Sequence, residues 1–275
     1  MKIALIGLGT TGRIVAEYLL KEQVLTMVLC KKSSNKAGKD LGEILHRPAT
    51  GIIVESIDNL EEKLLRERPD VLIDFSQPVF LRENLALLAR CKVNVVTAVT
   101  GYSEMDVKRI KAVTRSGKLG VVMAPNITYG VNVLLAIAGI VAELQVDCDF
   151  EIIEENHKNK KDSPSGTAKK IAAAVLTSLS DSGGCVDAIP IHSIRSGDTI
   201  GKHKILVTGQ YDQIEISHTA FSREAYAEGA HKAALFIKGK KGIYEMKDVF
   251  GLGMSKCKSV INKINKLNSG QCCCG

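Results

Sequence analysis

The sequence predicts an α/β protein in two parts, a doubly wound parallel sheet and a second domain of α+β character. Three observations predict it. The chain opens on a short apolar run, glycines at 7, 9 and 12, and an amphipathic stretch. Apolar runs then alternate with helical patterns as far as residue 123, as in a parallel sheet with helices on both faces. Beyond residue 125 the pattern changes to one long apolar helix over 131–144 and then to alternating strands over 205–208 and 213–218. The division expected is a first domain over 1–125, completed by 240–275, and a second over 126–239.

In order along the chain, residues 1–20 read strand, glycine turn, helix. Gly7 permits the tight turn, Gly9 leaves room for a pyrophosphate against the backbone, and Gly12 lets the helix pack closely on the strand. With Thr10 and Thr11 between them, these residues make a Rossmann-type dinucleotide turn, the phosphates sitting at the helix N-terminus. The alternative is a tight strand-to-helix turn with no ligand.

The second strand, 24–29, ends in Cys30-Lys31-Lys32-Ser33-Ser34, where an NAD site would place an acid on the ribose 2′-hydroxyl. No acid is there, and Lys31 and Lys32 suit a 2′-phosphate, so NADPH is expected over NADH, with NADH still possible. Further strands are expected over 52–56, 71–75, 93–97 and 119–123. Asp74-Phe75-Ser76-Gln77-Pro78 closes the fourth strand and Ala98-Val99-Thr100-Gly101-Tyr102 the fifth. Such sheets bind ligands at the carboxyl ends of their strands, so Phe75, Ser76, Ala98 and Thr100 are expected to border the nicotinamide. Either loop alone could be ordinary Pro and Gly punctuation.

The stretch 154–167 is read as a basic loop entering a helix over 168–179. His157, Lys158, Lys160 and Lys161 supply positive charge, and Ser165, Gly166 and Thr167 offer hydroxyls and N–H groups, a natural seat for a carboxylate. The plain alternative is a solvated loop with a Ser/Thr cap. Arg195, Asp198, His203 and His218 are expected to be structural, Asp198 and His203 fixing a loop and His218 half-buried in a strand. Arg223 could organise the second domain or reach an anion.

Composition fits small anionic ligands: 37 basic against 30 acidic side chains in 275 residues, a formal +7. With six Tyr, six Phe, no Trp and dispersed lysines, a nucleic-acid partner is not expected. Met1-Lys2 leads directly into a strand and no apolar run approaches membrane-spanning length, so a cytoplasmic protein without a membrane partner is expected. Cys30, Cys91, Cys148, Cys185 and Cys257 lack paired spacing and read as free thiols, and Cys272, Cys273 and Cys274 are given no specific role. The histidines lack ligand-like spacing, so no metal is expected.

Taken in order, these segments resemble the 4-hydroxy-tetrahydrodipicolinate (dihydrodipicolinate) reductase family along the whole chain. The resemblance rests on the N-terminal glycines, residues 74–78, Thr100-Gly101, Ala124-Pro125-Asn126 with Gly130-Val131-Asn132, Lys160 with residues 162–167, Arg195-Ser196-Gly197-Asp198, and 218–230. It implies hydride reduction by NAD(P)H of a cyclic imine dicarboxylate, in the diaminopimelate route to lysine. It further implies that Ala124 and Asn126 contact the cofactor, and that His157, Ser165, Gly166 and Thr167 hold a substrate carboxylate. Lys160 would act as proton donor or electrostatic partner, closure of the two domains would exclude water, and a homotetramer would form through the second domain's sheet.

Two departures stand against the pattern. The first of the family's paired histidines, its usual proton donor, is Asn156 here, and an amide has no proton to give near neutral pH. Thr10 and Thr11 stand near where the family has arginine and methionine. A paralogous reductase of another imine or carbonyl acid, and a non-catalytic NADPH sensor, are the alternatives to the lysine-pathway enzyme.

Overall fold

The computed structural model describes residues 1–184 and 186–252. Cys185, Cys257, Cys272, Cys273, Cys274 and the part of the returning segment beyond residue 252 lie outside the described residues. The chain divides into two compact units, Met1–Thr128 with Arg223–Val249, and Tyr129–Ser222 with the described residues from Phe250.

The first unit begins with β1 (Ile3–Ile6), α1 (Thr10–Lys21) and β2 (Leu25–Cys30), followed by the short α2 (Leu41–Ile44) and β3 (Val54–Ser56). It continues through α3 (Leu60–Glu67), β4 (Val71–Asp74), α4 (Pro78–Arg90), β5 (Asn94–Thr97), α5 (Glu104–Arg115) and β6 (Gly120–Met123). The inner strands are continuous apolar runs, Ile3-Ala4-Leu5-Ile6 and Val71-Leu72-Ile73, because helices cover both faces of the sheet. Helix starts follow local chemistry: Pro78 stands at the first turn of α4, and Ser103 with Asp106 forms a capping box on α5.

The second unit runs α6 (Tyr129–Leu144), β7 (Asp149–Asn156), α7 (Gly166–Asp181), β8 (Ile191–Arg195), β9 (Lys202–Thr208) and β10 (Gln213–Thr219). Its sheet has the order β10-β9-β7-β8, with β7 antiparallel to β9 and parallel to β8. Alternate residues of β7 and β9, Phe150, Ile152, Ile205 and Val207, join Leu134, Ala138, Ile171 and Val175 of α6 and α7 in one core. The chain then returns to the first unit with α8 (Glu224–Ile237), β11 (Gly242–Glu245) and α9 (Met246–Val249).

In the described residues of the first unit the sheet order is β11-β6-β5-β4-β1-β2-β3, every pair parallel. The order reverses between β1 and β4, which is where doubly wound sheets open a crevice at their carboxyl edge.

Three expectations change. The first stretch of the second unit ends at Ser222, short of residue 239, because α8 packs on α1, β4 and β5 through the small buried residues Ala227, Ala230, Ala233 and Ala234. The segment that completes the first unit is Arg223–Val249 rather than 240–275, and the described residues from Phe250 group with the second. The stretch read as a basic loop begins inside β7, which runs to Asn156. His203, expected in a loop, lies in β9. No helix among the described residues is long and apolar enough to cross a membrane.

Candidate active site

At the end of β1, Gly7 has φ +98°, and a Cβ there would lie 2.5 Å from the Phe75 carbonyl oxygen. A Cβ on Gly12 would meet the Gly7 carbonyl oxygen at 1.8 Å. Only glycine fits at either position. Gly12→Ala should therefore destabilise the fold at or above the ~3 kcal/mol upper end of ordinary overpacking, read by urea denaturation.

Gly9 differs from both. A Cβ there would meet nothing within 4 Å, and Gly9 caps α1 without a side-chain hydrogen bond or an acid in the first turn. The arrangement leaves open space and unpaired amide donors at a positive helix end, the donor set a pyrophosphate needs. Thr10 is exposed and Thr11 half-buried in this turn.

Lysine and arginine add charge beside the turn. Lys36 Nζ donates to the Leu8 carbonyl at 2.5 Å, and its pKa is lowered by burial and then by the nearby Arg13. Neither cation was singled out from sequence, since both sit in unremarkable local patterns. Lys31 is exposed at the end of β2, whereas Lys32 pairs with Asp58 at 3.0 Å. Cations and open amide donors together fit an anionic dinucleotide.

Phe75 and Ser76 follow β4, Ala98 and Thr100 follow β5, and Ala124 and Asn126 follow β6, so every expected cofactor residue stands at the carboxyl edge of one sheet. Ala98 N–H donates to the Asp74 carbonyl at 2.9 Å and Ala124 N–H to the Thr97 carbonyl at 2.8 Å. Asp74, Thr97 and Tyr102, a polar group with no sequence signature, lie beneath these turns.

In the second unit the expected site residues gather at the N-terminus of α7. Ser165 caps the helix, its Oγ accepting from Ala168 N–H at 3.1 Å, and its own N–H donates to Glu154 Oε1 at 2.9 Å. Gly166 is exposed with nothing within 4 Å of a built Cβ, and no acid stands within the first turn. The Gly166 N–H donates to the Asp162 carboxylate from the preceding loop, so this helix end already receives an anionic group. The Lys160 N–H donates to the half-buried His157 carbonyl at 3.1 Å, and Lys160 Nζ pairs with Asp162 Oδ1 at 2.7 Å. Lys158 and Lys161 are exposed. Thr167 occupies the second position of the helix.

Beneath them sits Glu154, with no exposed surface. Besides Ser165, it accepts from Ser193 Oγ at 2.7 Å, Arg195 Nη2 at 2.7 Å and Asn156 Nδ2 at 3.3 Å. Burial alone would raise its pKa, but the hydrogen bonds from Ser165, Arg195 and Ser193 outweigh it and hold the carboxyl at about 2. Arg195 Nη2 also donates to the Asp162 carbonyl at 2.6 Å, tying β8 to the loop that carries Lys160. Sequence reasoning missed Glu154 and Ser193, because an inward polar residue at a strand end looks like the strand's termination.

His203 faces Glu154 across β7 and β9, and His218 faces His203 across β9 and β10. Burial, then the nearby His218 and Lys160, push the His203 pKa down to about 4 against the pull of Glu154, so it is neutral at pH 7. It lies in the sheet rather than fixing a loop.

Residues 1–127 match the family profile described as dihydrodipicolinate reductase, N-terminus, and residues 130–250 the profile described as dihydrodipicolinate reductase, C-terminus. The chain is 35% identical over 254 residues to a 4-hydroxy-tetrahydrodipicolinate reductase of Methanosarcina mazei, covering 89% of this chain and 96% of the relative. It is 36% identical over 270 residues to the enzyme of the same name from Ralstonia nicotianae, covering 92% and 100%. Among solved structures, a dipicolinate-bound dihydrodipicolinate reductase from Paenisporosarcina sp. TG-14 is similar in fold, with TM-score 0.73 and 24% identity over 89% of this chain and 97% of that one.

Proposed function

The chain belongs to the dihydrodipicolinate reductase family, and on that premise we propose that it reduces 4-hydroxy-tetrahydrodipicolinate to tetrahydrodipicolinate with NAD(P)H, in the diaminopimelate route to lysine. The observation that supports this reading within the site is the N-terminus of α7, where the Gly166 N–H and Lys160 together hold the Asp162 carboxylate, a donor set that suits a substrate carboxylate in its place. When bound, the cofactor supplies the hydride.

The chain's own residues bind, orient and supply charge. Backbone N–H groups of Gly166 and Thr167, with His157, receive a substrate carboxylate, and Ser165, whose N–H and hydroxyl both serve Glu154, caps the helix that presents them. Lys160, oriented by Asp162, carries a proton at Nζ for the nitrogen on which charge develops. Asn156 hydrogen-bonds but cannot supply a proton.

In the first unit Gly7, Gly9, Thr10, Thr11 and Gly12 hold the pyrophosphate. Lys31, joined by Arg13 and Lys36, meets the 2′-phosphate of NADPH. Phe75, Ser76, Ala98, Thr100, Ala124 and Asn126 border the nicotinamide. The protein works in the cytoplasm as a homo-oligomer, a tetramer on the family pattern; exposed Ile194, Tyr211, Ile214 and Phe221 in the second unit supply apolar surface for assembly.

The test is oxidation of NADPH by the purified protein, followed in the near ultraviolet, with substrate generated in situ from pyruvate and aspartate semialdehyde. Turnover is expected, with kcat/KM for NADPH at least about tenfold above NADH, the scale of one charged contact. Equal efficiency with both cofactors would remove the 2′-phosphate role of the three cations. Asn156 favours a second reading, a paralogue acting on a different imine or carbonyl acid, and cofactor binding without turnover would select it.

A further inference from the structure

One side chain ties together the cofactor turns after β1, β4 and β5. Asp74 ends β4 with no exposed surface. Its Oδ1 accepts from Ser76 N–H at 2.8 Å and from Ser76 Oγ at 2.5 Å, and its Oδ2 from Thr97 Oγ1 at 3.3 Å. Thr97 Oγ1 in turn accepts from Val99 N–H at 3.3 Å and lies 2.8 Å from the Tyr102 hydroxyl.

A hydroxyl has one hydrogen. If Thr97 gives its hydrogen to Asp74, Tyr102 must donate to Thr97, and every donor in the chain then points toward the carboxylate. The Ser76 nitrogen that Asp74 holds is also among the atoms closest to Gly7, 2.9 Å from a built Cβ. A continuous line of contacts therefore runs from Tyr102, in the turn after β5, to the glycine turn. Protonating Asp74 at Oδ2 would add a donor among groups that already point their own hydrogens at it, and would turn charge-assisted bonds into weaker neutral ones.

We propose that Asp74 is a positioning residue for dinucleotide binding, which as a carboxylate holds turns 74–78 and 98–102 against the glycine turn and loosens them when it gains a proton. The proposal rests on the dinucleotide reading of the first unit and is independent of the substrate.

The surroundings leave this charge to hydrogen bonds. From β1 the residue beside Asp74 is Ile6, and α8, packed on β4 and β5, buries only Ala227, Gly229, Ala230, Ala233, Ala234 and Ile237. Asp106 of α5 acts on Tyr102 and is itself held by Arg82 of α4 at 2.8 and 2.9 Å. Burial pushes Asp74 up to about 6, with Ser76, Thr97 and Tyr102 pulling back. For an acid raised in the folded state from 3.8, stability is greatest below that value and falls as pH rises through about 6. At neutral pH the ionised group therefore works against stability, which fits placement for binding rather than for folding.

The experiment is a fluorescence titration of NADPH into the full chain between pH 5 and 8, with wild type, Asp74→Asn and Tyr102→Phe, and no substrate present. The 2′-phosphate itself ionises near pH 6, so the ratio of variant to wild-type Kd is the quantity read. For Asp74→Asn that ratio is expected to be about tenfold at pH 7.5 and to approach one at pH 5, where Asp74 is itself mostly protonated, with urea stability at pH 7 unchanged or higher. Tyr102→Phe, which keeps the carboxylate but removes a donor, is expected to move the same wild-type transition to higher pH. A ratio that does not vary with pH, or an Asp74→Asn protein that binds like wild type, overturns the proposal. If Asp74→Asn does not fold, an unmoved transition in Tyr102→Phe does so. Wild type failing to bind NADPH at any pH overturns the dinucleotide reading as well, a result separate from inactivity toward any substrate.

Discussion

Asn156→His is expected to raise kcat in the reductase assay by about a hundredfold, the lower end of what a positioned general acid contributes. Asn156 is buried at the end of β7, with Nδ2 3.3 Å from Glu154 Oε2. An imidazole in its place would stand beside a carboxylate that stays ionised down to about pH 2, and such a neighbour favours the protonated ring. Space is available toward Gly201, where a built Cβ would lie 3.7 Å from Asn156 Oδ1. The gain should bring a new basic limb in the pH profile of kcat, as the added imidazolium loses its proton. An unchanged kcat would mean that the proton comes wholly from elsewhere, and Lys160→Met would then abolish turnover.

Arg195→Met is expected to destabilise the second unit by about 3–5 kcal/mol, the usual consequence of removing one partner from a buried ion pair. Glu154 has no exposed surface to take up water, and Arg195 Nη2 holds both it and the Asp162 carbonyl. The acid response should change with it. In wild type the Glu154 pKa is lowered from 4.5 to about 2, so its contribution of roughly 3 kcal/mol is present above pH 4.5 and lost as pH falls through 2. Without the guanidinium the folded pKa rises and acid unfolding begins at higher pH. Urea denaturation across pH 3 to 7 checks both, and a loss under about 1 kcal/mol would mean that Ser165 and Ser193 suffice.

The first sheet was legible because its strands are buried on both faces and read as unbroken apolar runs, with Gly7, Gly9 and Gly12 marking the first turn. The strand β7 was harder. Its inward positions run Phe150, Ile152, Glu154, Asn156, so the alternation loses its apolar half where the site begins. A sequence window takes that as the end of a strand, and only the donors from β8 and α7, brought there by the fold, show that Glu154 faces inward. His203 was misplaced for the same reason. Helix α8 is rich in alanine, and alanine does not record which sheet it will cover. Of the cofactor site, the turns were readable as punctuation after strands. The Asp74 network beneath them was not, because Asp74, Thr97 and Tyr102 meet only through strand pairing and a returning loop.

The interrupted path of the first unit has a bearing on synthesis. Strand β6, Gly120–Met123, has one lateral partner in β5 until β11 arrives on its other side. On the ribosome β11 emerges about 120 residues later, a delay of roughly 6 to 25 s at ordinary elongation rates. All the strands of the second unit lie between, so that unit can complete its sheet while the first still presents an unpaired apolar edge. The nascent chain is thus most prone to aggregation in that interval, when Val121 and Val122 are translated but not yet covered.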